Sequence, residues 1–195
     1  MRHTAAIVAR LFALLLAPSL LAQAKTYAIS PDAKNSATFQ CEDSYDQFDG
    51  TTSKISGTIV ADPATPSTAS VSLTIDLNSL DTGVSLRNKE MREKYLETAK
   101  WPLGKFKSVS VSGPASIAAN APAEVSVTGD LTIHNITKRV TIPVRVVVIP
   151  DGRIHATTNF NVHMPDFGIR VPHNILVTVN DDVPVRIEVW GKTKD

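Results

Sequence analysis

Ser70-Val71-Ser72-Leu73-Thr74-Ile75-Asp76-Leu77 (SVSLTIDL, residues 70–77) alternates throughout. Val71, Leu73, Ile75 and Leu77 fall on one face, and Ser70, Ser72, Thr74 and Asp76 on the other. Successive side chains of a strand point to opposite sides, so this pattern is that of a strand with one buried and one wet face. The same period recurs along the chain. Thr26 to Ser30, Ser36 to Cys41 and Lys54 to Ala61 read as strands before it, with Pro31-Asp32 and Asp49-Gly50 as turns. Gly57 inside the third of these predicts a bulge or bend. Downstream, Phe106 to Ser112, Glu124 to His134, Val140 to Ile149 and the run through Ile154, Ala156, Phe160 and Val162 are strand-like. His134-Asn135 and Asp151-Gly152 read as tight hairpin turns. Asn174 to Val179 and Val183 to Trp190 read as a last hairpin. Eight or more antiparallel strands with one apolar face suit either a sandwich of two sheets or one sheet closed into a barrel.

One stretch breaks the period. Between Asn78 and Phe106, Met91, Tyr95 and Leu96 take helical spacing among charged residues, which predicts a helix over about 86–98. Ser85 is the expected N-cap, and Pro102 the expected stop, because its ring pushes Trp101 out of the α region. A lone helix in a β chain suits the role of a cap on one end of a barrel. From Ser85 to Lys107 there are seven basic and three acidic residues, a local charge of +4. The plain reading is a solvated helix face with a Glu90–Lys94 pair. The alternative is a basic collar making weak contact with an anionic headgroup or membrane surface.

Residues 1–24 read as a signal peptide. Arg2 and Arg10 flank the n-region, Leu11 to Leu21 is the apolar core, and Ala22-Gln23-Ala24 is a small-x-small cleavage site, so the mature chain is expected to start at Lys25. A secreted or periplasmic location follows. Without Arg2 and Arg10 the chain has 18 basic and 19 acidic residues, net −1, and no global reason to bind nucleic acid. Cys41 is the single cysteine, so no internal disulfide can form, and it reads as a buried thiol. The oligomeric state is left open by these residues.

Motifs for catalysis are absent: there is no G-x-S-x-G, H-E-x-x-H, C-x-x-C or phosphate-cradling glycine loop. His155 and His163 lie eight apart on a polar strand face and read as solvated residues rather than a metal site. Asp81 and Asp166 occupy irregular segments, where a carboxylate serves loop N–H groups. Asn135-Ile136-Thr137 matches a glycosylation sequon, but a tight turn explains Asn135 by itself. No cofactor and no metal are expected.

The ordered segments resemble the YceI-like family. The resemblance rests on Tyr27-Ala28-Ile29-Ser30-Pro31-Asp32, on Val71 through Gly83, and on Arg87-Asn88. It continues with Trp101-Pro102, Phe106-Lys107-Ser108, Gly129-Asp130-Leu131-Thr132-Ile133-His134 with Thr137-Lys138, and Asp166-Phe167-Gly168-Ile169. It covers Lys25 to Asp195. What it implies is an all-β fold: an extended eight-stranded antiparallel, lipocalin-like barrel, with a tunnel holding an apolar isoprenoid lipid of the quinone or polyprenyl phosphate type, bound, stored or transported without catalysis. The inward strand faces and the helix would then line that tunnel through Leu73, Ile75, Leu77, Met91, Tyr95, Leu96, Trp101, Phe106, Leu131, Ile133, Val144, Val146, Phe160, Phe167, Val185 and Ile187, with Arg87 near a headgroup. The competing expectation is a closed-core β domain with no small ligand that uses its surface for a partner. An enzyme acting on the lipid would need convergent polar residues that the pattern does not supply.

Overall fold

The alternating segments form ten antiparallel strands: β1 (Lys25–Ile29), β2 (Ser36–Glu42), β3 (Gln47–Thr52), β4 (Ile55–Ala61), β5 (Ser70–Asp76), β6 (Leu103–Ser112), β7 (Pro122–Ile133), β8 (Ile136–Ile149), β9 (Arg153–His163) and β10 (Asp182–Thr193). The structure, a computed structural model, describes residues 23–32, 34–42, 47–172 and 179–193. Residues 1–22 of the expected leader and the first arm of the last expected hairpin, 174–178, lie outside the described residues.

The ten strands occupy eight positions of a closed barrel. β4 to β10 pair each with the next. β10 then meets β1 through Tyr27↔Thr193 and Ala28↔Lys192, and meets β2 further along through Ser36↔Glu188 to Phe39↔Val185. β1 and β2 are thus two halves of one broken strand, and β3 and β4, paired beside them, are halves of the next. Barrel closure, which periodicity alone left undecided against a sandwich, is settled by the β1–β10 pairing. The corner between β1 and β2 hangs on Asn35, 1% exposed, whose Nδ2 donates to Ser30 O (2.8 Å) while its Oδ1 accepts from Trp190 N (2.8 Å). Both ends of a buried amide are satisfied there, which is what makes its burial tolerable. Next to the helix, Thr51 and Asp81 exchange backbone hydrogen bonds at 2.9 and 3.0 Å and complete the rim.

Two glycines have different reasons for being glycine. Gly57 has φ +154°, and a Cβ there would land on the Ser72 carbonyl of β5. It makes no bulge, because pairing to β5 runs through it unbroken, while the pairing to β1 ends at it, Ile29 opposite Gly57. The one register shift between β6 and β7 lies at Ser108/Ser110 instead. Asp49-Gly50, expected as a turn, sits inside β3. Gly50 opposes Phe39 on β2, and a Cβ would fall within the Phe39 ring. The glycine makes room for a cross-strand aromatic, a need that local turn statistics cannot express.

The helical segment also departs from expectation. The α-helix, α1, is short (Ser85–Glu90), and a π-turn (Met91–Tyr95) extends it. Ser85 is the first helical residue rather than the cap; Val84 precedes it, without a side-chain cap bond. Asn88 ties the helix down instead, accepting from Thr82 N and Oγ1 (both 2.8 Å) and donating to Asp81 Oδ1 (2.7 Å). The helix stops at Glu97, in the left-handed region (φ 43°), well before Pro102. The π-turn has a packing consequence. Leu96 N donates to Met91 O at 2.8 Å, which stacks Leu96 one turn above Met91, so that both share the barrel-facing side with Tyr95.

Candidate functional site: an apolar cavity along the barrel

Inward side chains of the strands do not fill the barrel. They surround a cavity of about 510 Å³, within the range of small-molecule sites. Of the residues expected to line a tunnel, every one except Trp101 and Phe167 is on its wall, Arg87 included. Phe167 lies one layer behind the wall, packed in a buried cluster with Met164, Val162 and Val183, which do line the cavity. It comes from a one-turn 3-10 helix (Met164–Phe167) closed by left-handed Gly168. Trp101, half-buried, follows the turn in which its N–H donates to Glu97 O (3.0 Å) and stays off the wall. Both rings lie in irregular segments, where no period says which way a side chain points.

Other wall residues were not foreseen. Phe39 and Cys41 on β2 and Phe48 on β3 line the mouth half, while Pro63, Pro66, Ala69 and Ile117 line the opposite end. The β2–β3 pair lacks a clean alternation, and the second group comes from loops. Ile117 N donates to Pro63 O (2.8 Å), so two loops clasp each other and floor the cavity. Asp62, 7% exposed, sits in that floor and accepts from Ala64 N at 2.8 Å. Burial, followed by the charge of Asp62, pushes the neighbouring Tyr27 hydroxyl above its usual pKa.

At the helix end the mouth carries Thr82, Arg87 and Glu90. Arg87 is held on three sides: Nε donates to Thr82 Oγ1 (3.0 Å), Nη2 donates to Thr82 O (3.1 Å), and the guanidinium lies 3.8 Å over the Phe48 ring. That stacking links the helix to β3 and fixes a cation at the lip. Glu90 is paired with Lys94 Nζ at 2.6 Å. Asp81 accepts from Asn88 and Gly83 N, and those hydrogen bonds hold its carboxyl below the usual carboxylate range. Behind the mouth, Glu97 bridges Lys100 (2.7 Å) and His134 Nε2 (2.8 Å), while His134 Nδ1 faces Phe167 O (3.2 Å). Lys100 first, then His134, keeps the Glu97 carboxyl low.

Among the described residues, the carboxylates on the wall do not converge on one another. Asp62 is at the floor and Glu90 at the mouth, on elements at opposite ends of the strands. Burial raises Cys41 from 9.0 to about 11, against the opposing pull of Arg87. A thiol two units above its ordinary value holds about a hundredfold less thiolate. Cys41 is accordingly expected to resist iodoacetamide at pH 8 until the protein is denatured, as peptide mass spectrometry would measure; rapid labelling of the folded protein would contradict that. His155, expected to be solvated, instead stacks on Trp190 (ring centroids 4.1 Å apart) and bonds Glu188 at 2.9 Å on the outer surface. His163 pairs with Asp182 at 3.1 Å, so the two histidines serve separate partners.

Comparison with known proteins places this architecture. The model of the YceI-like domain matches residues 27–190. Protein YceI of Escherichia coli O157:H7 is 30% identical over 153 residues, covering 75% of each chain. Protein YceI of Salmonella newport is 34% identical over 105 residues, 53% of this chain and 51% of that protein. Among solved structures, Burkholderia cenocepacia BcnA superposes with a TM-score of 0.69 at 23% identity, covering 81% of this chain and 96% of the other. A domain described as a polyisoprenoid binding domain from Saccharophagus degradans superposes at 0.66 and 16% identity, covering 88% and 100%. These structural likenesses bear on the fold, and the sequence matches on descent. With its closed eight-position barrel, helical cap and a match over residues 27–190, the chain belongs to the YceI-like family.

Proposed function

We propose that this protein binds a long, apolar isoprenoid chain inside the barrel and carries or stores it without chemical change. One observation carries the reading. Leu73, Ile75, Phe106, Ile133, Val144, Phe160, Val185 and Ile187 point inward yet are only half-buried. In a packed interior such side chains lose nearly all contact with solvent; here their remaining accessible surface faces the cavity. An apolar guest would remove that surface from water at about 25 cal/mol per Å2, and few directional contacts are needed. The description of the Saccharophagus relative as polyisoprenoid binding supports the same class of guest.

Arg87 offers the polar contact. With Nε and Nη2 engaged by Thr82, the guanidinium is pre-oriented at the lip, and a quinone carbonyl or a phosphate oxygen could accept from it. The scattered wall carboxylates and the raised Cys41 favour carriage over catalysis. The signal sequence read from residues 1–24 makes the periplasm or the cell exterior the place of action. The test is an organic extract of protein purified without detergent, analysed by mass spectrometry for isoprenoids.

A further inference from the structure

Exposed large apolar side chains are unevenly placed. Val84 (47% exposed), Leu86 (69%), Leu103 (38%) and Ile136 (37%) all lie at the mouth end: before α1, in its first turn, and at the starts of β6 and β8. Among the described residues only Val109 is comparably bare elsewhere. Leu86 adjoins Arg87 in sequence, so the barest leucine and the cavity lip are neighbours. Lys89 shares the outer face of α1 with Leu86, three residues on.

Charge at this end is not self-compensated. Glu90 and Glu97 are already neutralised by Lys94 (2.6 Å) and Lys100 (2.7 Å). Exposed Lys89 and Lys105 have no ion-pair partner among the described residues, and Glu93 is the segment's third acid. Bare aliphatic side chains bordered by unpaired lysines match an anionic bilayer, whose headgroups take the lysines and whose acyl boundary takes the aliphatics. An acidic protein could meet the lysines, but it would not explain why the same lip opens onto a cavity for membrane-derived lipid.

We infer that the mouth end docks on an anionic lipid bilayer, with Val84 and Leu86 at the acyl boundary and Lys89 among the headgroups, so that the lip faces the membrane from which its guest is taken. This deepens the lipid-binding reading and rests on it. Vesicle flotation of the protein expressed from its full sequence tests it. At low salt the protein is expected to float with phosphatidylethanolamine–phosphatidylglycerol vesicles and not with phosphatidylcholine vesicles. Leu86→Ser is expected to lower the bound fraction about tenfold, the scale set by removing one leucine from an apolar phase. Lys89→Glu should lower it too, as should added salt. Both positions are exposed and off the cavity wall, so the fold and the bound lipid should persist in each variant. Failure of the unaltered protein to float, equal binding to phosphatidylcholine, or wild-type binding by both variants overturns the docking. Protein that floats yet yields no extractable isoprenoid overturns the cavity reading alone.

Discussion

Gly57→Ala is expected to lower the thermal midpoint by about 10 °C or more, the largest stability effect of any single methyl group added to this fold. Two costs combine. The backbone at Gly57 has φ +154°, a region that L side chains avoid, at about 1–3 kcal/mol. The new Cβ would also land on Ser72 O and lie 3.0 Å from Leu73 Cα, both backbone atoms of β5 that cannot rotate away. Moving β5 breaks the ladder on both its sides, so a further 1–3 kcal/mol, roughly, is expected from overpacking. Against a domain stability of about 5–15 kcal/mol this is a large fraction. Gly83 supplies the control. Its φ is +75°, but a Cβ there meets nothing within 4 Å, so Gly83→Ala should cost only about 1 kcal/mol. Urea denaturation of the two variants measures the difference, and equal midpoints would contradict the close strand approach at Gly57.

Val144→Trp is expected to empty the cavity of lipid while leaving the fold intact. Val144 lies in the middle of β8, opposite Val125 on one side and Thr158 on the other, half-buried with its free surface toward the hollow. In a filled interior, such an enlargement forces neighbours off their rotamers and costs about 1–3 kcal/mol. Here the indole has a cavity of about 510 Å³ to enter, so the urea midpoint should hardly move. Extractable lipid, by contrast, should fall at least tenfold, because the ring blocks the path between mouth and floor. A variant that unfolds and one that keeps its lipid would both contradict the hollow interior.

Much of the barrel was legible because its signals are local. Alternation over residues 70–77 places Leu73 and Ile75 inside, and His134-Asn135 and Asp151-Gly152 turn where their left-handed residues allow. What escaped was non-local. Gly50 is small because of Phe39 on another strand, so reading Asp49-Gly50 as a turn cost the sequence reading a whole strand. Most residues expected on the cavity wall are there, since inward-facing residues of regular strands keep the period of two. The wall also takes in inward residues that were not expected to line it, among them Val111, Val127, Ile142 and Val148. Phe48 and the loop floor at Pro63 and Ile117 obey no period, and Trp101 and Phe167 were misplaced for the same reason. In the helix, the wide turn at Met91–Tyr95 has no residue signature of its own, yet it brings Leu96 onto the barrel side.

The most direct test of the account is the lipid content of the native protein. Protein purified from cells without detergent, extracted with organic solvent and analysed by mass spectrometry, is expected to release an isoprenoid in amounts approaching one per chain, with Val144→Trp releasing almost none. An extract of the unaltered protein with no isoprenoid above background, or equal amounts from both proteins, would contradict a lipid held in the barrel.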